Sequence, residues 1–336
     1  MFLELLNEKG VLLADGATGT NFFNAGLEAG YPPELWNAEQ PEKVRALHRS
    51  FIEAGSDLVL TNTFGGTRHR LKLHHAEDRV HELNKLGAEL LKDEIARSGR
   101  KVVAAGSVGP TGELLEPLGA LTYDGARDAF AEQIAGLKDG GVDVIWIETM
   151  SAIDEIKAAQ EAADASGLPY AYTGSFDTAG KTMMGLAPGD IGAIKCDKCG
   201  TAQAHGANCG VGASDLLMSV LQMTEANPSA VIVAKANCGI PEIRGDEVVY
   251  NGTPDLMAEY VRLAIDAGAR IIGGCCGTTA AHIAAMRAAL DSHTKRGRPT
   301  LEEIVTAIGP LNAPPAANDR GAPERGRRER KRRRAG

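Results

Sequence analysis

A chain of 336 residues with 43% hydrophobic and 24% charged side chains has the makeup of a globular protein with a sizeable core. It is long enough for two average domains or for one α/β barrel of about 250 residues, and no run approaches the ~18 consecutive apolar residues of a membrane span. The formal net charge of −8 argues against a body built to bind nucleic acid.

The opening Met1-Phe2-Leu3-Glu4-Leu5-Leu6-Asn7-Glu8-Lys9 lacks the basic n-region and long apolar h-region of a secretory signal. It predicts a cytoplasmic protein and a short helix leading into the first strand, Gly10-Val11-Leu12-Leu13-Ala14, which ends in Asp15-Gly16-Ala17-Thr18-Gly19-Thr20. Val44, Leu47, Phe51 and Ile52 recur at helical spacing and predict a helix over 41–54. Strand two, Asp57-Leu58-Val59-Leu60, opens into Thr61-Asn62-Thr63-Phe64. A helix over 78–98 leads to strand three, Lys101-Val102-Val103-Ala104-Ala105, and then to Gly106-Ser107-Val108-Gly109-Pro110. The next helix, over 124–139, stops at Gly140-Gly141 as at a C-cap. Strand four, Val142-Asp143-Val144-Ile145-Trp146-Ile147, runs into Glu148-Thr149-Met150, and a helix to about 165 precedes strand five, Tyr170-Ala171-Tyr172-Thr173. Residues 188–199 make only a poor helix. Strand six is placed near 201–206, before Ala207-Asn208-Cys209-Gly210, and Ser214 reads as the cap of a helix reaching 226. After strand seven, Ala230-Val231-Ile232-Val233-Ala234-Lys235, and a loop, Thr253-Pro254 opens a helix to 267. Strand eight, Arg270-Ile271-Ile272, runs into Gly273-Gly274-Cys275-Cys276-Gly277, and a last helix covers 280–290.

Eight strand–helix units imply a parallel sheet closed into a (β/α)8 TIM-type barrel over residues 1–309, with an open doubly wound sheet as the alternative. No strand is followed by the G-x-G-x-x-G arrangement of dinucleotide sites. In a barrel the C-terminal strand ends share one face, where active sites assemble. Asp15, Asn62, Ser107, Glu148, Cys209, Cys275 and Cys276 are therefore expected to meet there. From 310 on, Pro, Ala, Asn and Gly dominate, and residues 319–336 hold nine Lys/Arg against three Asp/Glu. That surplus of six leaves the body near −14 and predicts a disordered, solvated basic tail.

None of the six cysteines, Cys196, Cys199, Cys209, Cys238, Cys275 and Cys276, lies in the first 195 residues. Clustered thiols in a large chain without a signal point to metal or redox chemistry rather than a disulfide framework. The glycines around Cys275-Cys276 let the backbone turn sharply, so that neighbouring side chains converge into a soft-metal site. The third thiol must come from elsewhere; a buried thiol pair or a vicinal disulfide is the plain alternative. Cys196-Asp197-Lys198-Cys199 has CxxC spacing without a second CxxC, which predicts free thiols in a surface loop.

Taken together, Asp15-Gly16-Ala17-Thr18-Gly19-Thr20, Thr61-Asn62-Thr63-Phe64, Gly106-Ser107-Val108-Gly109-Pro110, Ile147-Glu148-Thr149, Gly206-Ala207-Asn208-Cys209 and Gly273-Gly274-Cys275-Cys276-Gly277 resemble the homocysteine S-methyltransferase family. The likeness covers roughly residues 8–292, and the single-domain bacterial enzymes that use betaine are the most similar in kind. The resemblance implies a (β/α)8 barrel and a Zn(2+) ion held by Cys209, Cys275 and Cys276, with Cys238 a neighbour rather than a ligand. It implies transfer of a methyl group to homocysteine, forming methionine, with Asp15 and Glu148 holding the substrate ammonium. It also implies that Trp36, in the loop after strand one, contacts betaine; packing is the other reading of that residue. The exposed N–H groups of Gly16 and Ala17 could take the substrate carboxylate, and Ser107 and Asn208 could orient ligands or substrate.

Three thiolates and one open position describe a catalytic zinc rather than a structural one, and such an ion deprotonates a coordinating substrate thiol. S-methylmethionine, dimethylsulfoniopropionate or methylcobalamin are the alternative donors. The last would need a corrinoid protein partner, because the chain has no D-x-H-x-x-G string. A non-catalytic zinc or redox sensor is the alternative of another class, and it would have no use for Asp15 and Glu148. The dimerising arm of the longer animal enzymes has no counterpart here, which leaves a homo-oligomer open.

Overall fold

The computed structural model describes residues 1–244 and 247–314; the Arg-rich stretch of the tail lies outside the described residues. Its strands, in chain order, are β1 (Leu12–Leu13), β2 (Leu58–Leu60), β3 (Val103–Val108), β4 (Val144–Met150), β5 (Tyr170–Gly174), β6 (Ala204–Cys209), β7 (Ile232–Ala236), β8 (Pro241–Arg244), β9 (Glu247–Tyr250) and β10 (Ala269–Gly274). All but β8 and β9 form one parallel sheet in the order β1-β10-β7-β6-β5-β4-β3-β2. A parallel bridge between Ala14 and Leu58 joins its two ends, so the sheet closes into the expected (β/α)8 barrel. Parallel strands are covered on both faces, which is why these runs read as nearly continuous apolar sequence.

Period-two alternation sorts the strand side chains. One set, Leu13, Val59, Ala104, Ile145, Ile147, Ile232 and Ala234, packs outward on the helices. The other set faces into the barrel: Leu12, Leu58, Leu60, Val103, Ala105, Val144, Trp146, Ala171, Ala204, Val233 and Ile271. The N-terminal helix Phe2–Lys9 adds Phe2, Leu5 and Leu6 to that interior cluster and closes the barrel floor. Its Lys9 donates to the buried Asp57, which also accepts from the Leu13 N–H at 3.0 Å and from Arg287 at 3.0 Å. The same parity continued towards the strand ends reaches Ser107, Glu148, Thr173, Asn208 and Lys235. Trp146 is the largest fully buried side chain, and the layer that follows is polar.

Four local features differ from the sequence reading. Strand six begins three residues later, because its run lacks β-branched residues to mark it, and its pairing extends to Cys209 opposite Ala236. Gly212, not Ser214, caps the helix Ala213–Ala226; the Ser214 hydroxyl instead donates to the Gly309 carbonyl at 2.6 Å. A further helix, Leu301–Ile308, carries a Thr300/Glu303 capping box, and the Asn312 and Ala313 N–H groups donate to Asp215 at 2.9 Å. The chain thus stays attached to the barrel just past 310. The antiparallel pair β8–β9 interrupts the loop after β7. Among the described residues no helix is long and apolar enough to cross a membrane.

Trp146→Ala should leave a large cavity directly beneath the polar layer and destabilise the fold by about 3–5 kcal/mol in urea unfolding. A loss below about 1 kcal/mol would mean that the interior collapses around the gap.

Candidate active site

The double cysteine is held by its neighbours' main chain. The Gly274 N–H donates to the Asp15 carbonyl at 3.0 Å and the Cys275 N–H to the Ala236 carbonyl at 2.6 Å. The Cys276 N–H donates to Asn237 Oδ1 at 3.0 Å, and the Cys276 carbonyl accepts from the Cys238 N–H at 2.9 Å. Gly277 is required at φ 80°, where a side chain would also collide with the Tyr250 ring brought in by β9. Across the mouth, Cys209 ends β6 at φ 59°, a left-handed turn that swings its sulfur out of the strand alternation. The three sulfurs of Cys209, Cys275 and Cys276 lie within 4.8 Å of one another. This donor set fits a soft divalent metal ion, with thiolates convergent from two strands.

Hydrogen bonds from Cys209 and Cys275 hold the Cys276 thiol down at about 3, while Cys209, bonded to its neighbours and buried, is pushed well up. Against the pull of Cys209, the hydrogen bond to Cys276 and burial push Cys275 up to about 12, so negative charge gathers on the Cys276 sulfur alone. Cys238 stands outside it: fully buried, its thiol is turned to the Gly252 carbonyl at 3.3 Å. The expectation of free thiols at Cys196 and Cys199 is corrected, since the two are joined in a disulfide.

Asn208 anchors this mouth. Its Oδ1 accepts from the Thr149 N–H at 2.8 Å and the Thr173 hydroxyl at 2.6 Å. Its Nδ2 donates to Thr149 Oγ1 at 2.7 Å and to Cys209 Sγ at 3.4 Å. Thr149 needs such a clamp, because it is a β-branched residue at φ 64°. The β4–β5 register shifts between Ile147 and Met150, and a bulge of this kind re-aims the side chains it carries. Glu148 lies in that bulge, 7% exposed. Its Oε1 accepts from the Ser107 hydroxyl at 2.6 Å, and its other oxygen accepts from no described residue. Burial pushes its carboxyl up to about 7, against the pull of Lys235.

Lys235 was not anticipated. Its ammonium, 2% exposed, donates to Asp15 Oδ1 at 2.6 Å, and Asp15 Oδ2 accepts from the Leu60 N–H at 2.8 Å. Burial opposes the lysine charge, yet Asp15 and Glu148 together hold its pKa above the ordinary value. Asp15, expected beside a substrate ammonium, is thus already engaged on both oxygens. The one signal for Lys235 was a lone lysine at inward parity closing an apolar run, Val231-Ile232-Val233-Ala234-Lys235.

Other expected residues fall elsewhere. The Ala17 N–H does not stand free for a carboxylate: it donates to the Thr278 carbonyl at 3.1 Å, and Gly16 packs between that residue and Phe51. Asn62 is a loop brace, donating to the Pro33 carbonyl at 2.7 Å and to Asn37 Oδ1 at 2.9 Å. Trp36 is buried in a satellite cluster with Phe22, Leu27, Val44 and Leu90. Its ring lies 5.1 Å from that of Phe22, with the Lys43 ammonium 4.4 Å from its centroid.

Residues 12–290 match the family model described as homocysteine S-methyltransferase. Curated relatives named methionine synthase, from Mycobacterium tuberculosis (strain ATCC 25618 / H37Rv) and Mycobacterium leprae (strain TN), are each 31% identical over 91% of this chain and 27% of their own length. The chain therefore spans about a quarter of the length of these relatives. The homocysteine methyltransferase MmuM from Escherichia coli, in its metallated form, shares the fold with a TM-score of 0.70 at 24% identity, over 85% of this chain and 98% of that one. A methyltransferase from Methanosarcina mazei is similar with a TM-score of 0.54 at 14% identity, over 84% of this chain and 94% of that one. Since the family match runs from the first barrel strand to the helix behind the double cysteine, this chain belongs to the homocysteine S-methyltransferase family.

Proposed function

We propose that this chain transfers a methyl group from a small onium donor, glycine betaine before others, to the thiol of homocysteine, forming methionine with a zinc ion held by Cys209, Cys275 and Cys276. The observation that carries this reading is the convergence of those three thiols above a polar layer whose Glu148 keeps one oxygen open. Zinc, when bound, lowers the pKa of a coordinating substrate thiol so that it is a thiolate at neutral pH. Glu148, fixed by Ser107, takes the substrate ammonium, and Asn208 steadies the Cys209 sulfur and the bulge that carries Glu148. The apolar interior beneath, closed by Trp146 and the N-terminal helix, shuts water out from below. The Tyr250 ring against Gly277 supplies an aromatic face at the mouth, where an onium methyl would approach. With Lys43 over its ring, Trp36 is better read as packing than as donor contact. In the transfer the substrate sulfur pair forms the S–CH3 bond while the donor C–N bond breaks. The electron pair leaves with nitrogen, so betaine departs as dimethylglycine. Holding sulfur, methyl and nitrogen in line supplies much of the rate.

A second reading keeps the acceptor and takes the methyl from methylcobalamin on a partner protein. Similarity to one quarter of the much longer methionine synthases favours it, because there the matched part acts within a larger chain. Assays of the zinc-loaded protein with homocysteine and betaine, S-methylmethionine, dimethylsulfoniopropionate or methylcobalamin separate the donors, and absence of methionine with all four rejects the enzyme reading.

Cys209→Ala, Cys275→Ala and Cys276→Ala should each lose stoichiometric zinc and turnover together; zinc retained by Cys209→Ala would move the third ligand elsewhere. Asn208→Ala should weaken metal binding by roughly 10–100-fold in chelator competition, as loss of a group that orients metal ligands does. Glu148 must be ionised to hold an ammonium, so KM for homocysteine should rise as pH falls through about 7. Glu148→Gln should raise KM by about 10²-fold and abolish that limb of the profile, whereas a persisting limb would assign it to another group.

A further inference from the structure

Lys235 is a buried cation that is only partly satisfied. Its ammonium carries three N–H donors, and among the described residues it makes one hydrogen bond, to Asp15. At 2% exposure it has little access to solvent to meet the other two. A purely structural ion pair gains little over apolar packing, and this one lies among apolar neighbours, Val233 below it on the same strand and Ala234 behind. Something is expected to use the open donors.

Their surroundings say what. Lys235 stands in register between Asn208 on β6 and Gly273 on β10, each of which leads directly towards a cysteine of the cluster. Its charge acts on both Glu148 and Cys275, so cation, carboxylate and thiols face one mouth. Glu148 offers an open acceptor for a positive group, and Lys235 offers open donors for a negative one. A free α-amino acid with a thiol side chain presents these three features on three arms of one carbon skeleton: a sulfur, an ammonium and a carboxylate.

We propose that Lys235 binds the α-carboxylate of the thiol substrate while Glu148 takes its ammonium, so that this pair selects a free amino acid over a simple aminothiol. The inference rests on the methyl-transfer reading above. Asp15 becomes a positioning residue: closed on both oxygens, it holds the Lys235 ammonium in place and meets no substrate. A donor carboxylate is the competing occupant. Lys235 is 2% exposed and stands in register with Asn208 in the polar layer, which favours the substrate seated beside Glu148 over a donor.

The test compares homocysteine with 3-mercaptopropylamine, which keeps the thiol and amine and lacks the carboxylate. Binding to the zinc-loaded protein is read by calorimetry and turnover with the best donor. The unmodified chain should prefer homocysteine by roughly 10²-fold or more, as sites with buried polar groups do when a ligand leaves them unpaired. In Lys235→Met the preference should collapse to about threefold or less, because homocysteine weakens and the aminothiol does not, with donor KM within about twofold. Lys235→Met strands Asp15 without its partner, so Lys235→Met/Asp15→Asn, which leaves no unpaired buried carboxylate, is measured beside it and should show the same collapse. A preference that survives in the folded variants, or a rise in donor KM with homocysteine binding intact, overturns the proposal. Failure of the unmodified chain to bind or methylate homocysteine would refute the methyl-transfer reading itself, and that result is seen before any variant is made.

Discussion

A single buried carboxylate knits the seam of this barrel. Through its main chain and side chain Asp15 joins four strands: its carbonyl accepts from Gly274 at the end of β10, its Oδ2 from Leu60 on β2, its Oδ1 from Lys235 on β7, and it lies two residues past β1, next to the bridging Ala14. Removing either partner of such a pair leaves an uncompensated charge out of reach of water, which is far more destabilising than the intact pair is stabilising. The seam is also where the double cysteine leaves the sheet. The interaction that closes the barrel thus sets the height and direction of the thiols.

Opposite the seam, the site is held by strain that the surroundings satisfy. Thr149 and Cys209 both adopt left-handed backbone conformations, each of which is unfavourable by about 1–3 kcal/mol for a non-glycine residue. Asn208 links them, with three of its hydrogen bonds on Thr149 and Cys209. Glu148 keeps the inward parity of Val144 and Trp146, whereas a regular β6 would send Cys209 outward to the helices. The left-handed turn at Cys209 brings its thiol into the space that the carboxylate already faces.

Electrostatically the mouth is balanced rather than uniform. Lys235 is a buried positive charge set against the cysteine cluster and the acids Asp15 and Glu148, both of which burial pushes up and the lysine pulls back. A zwitterionic substrate would meet both signs in a low-dielectric setting, where complementary charge favours one orientation and penalises the reverse.

Much of this was legible in the chain itself. Eight alternations of apolar run and amphipathic stretch determined the barrel, and glycines flanking Cys275-Cys276 determined that two adjacent thiols would converge, because both follow from local periodicity and backbone freedom. The polar ends of strands three, four and six were visible for the same reason. Only the tertiary structure decided what each polar residue meets. Asp15 and Lys235 are 220 positions apart, and nothing local tells a carboxylate held by a lysine from one left open for a substrate. Trp36 could be assigned to packing only once Phe22 and Lys43 were seen on its ring, and Tyr250 gained its place at the mouth only through the pairing of β8 with β9. Sequence periodicity selects a face; partners across the barrel are set by closure.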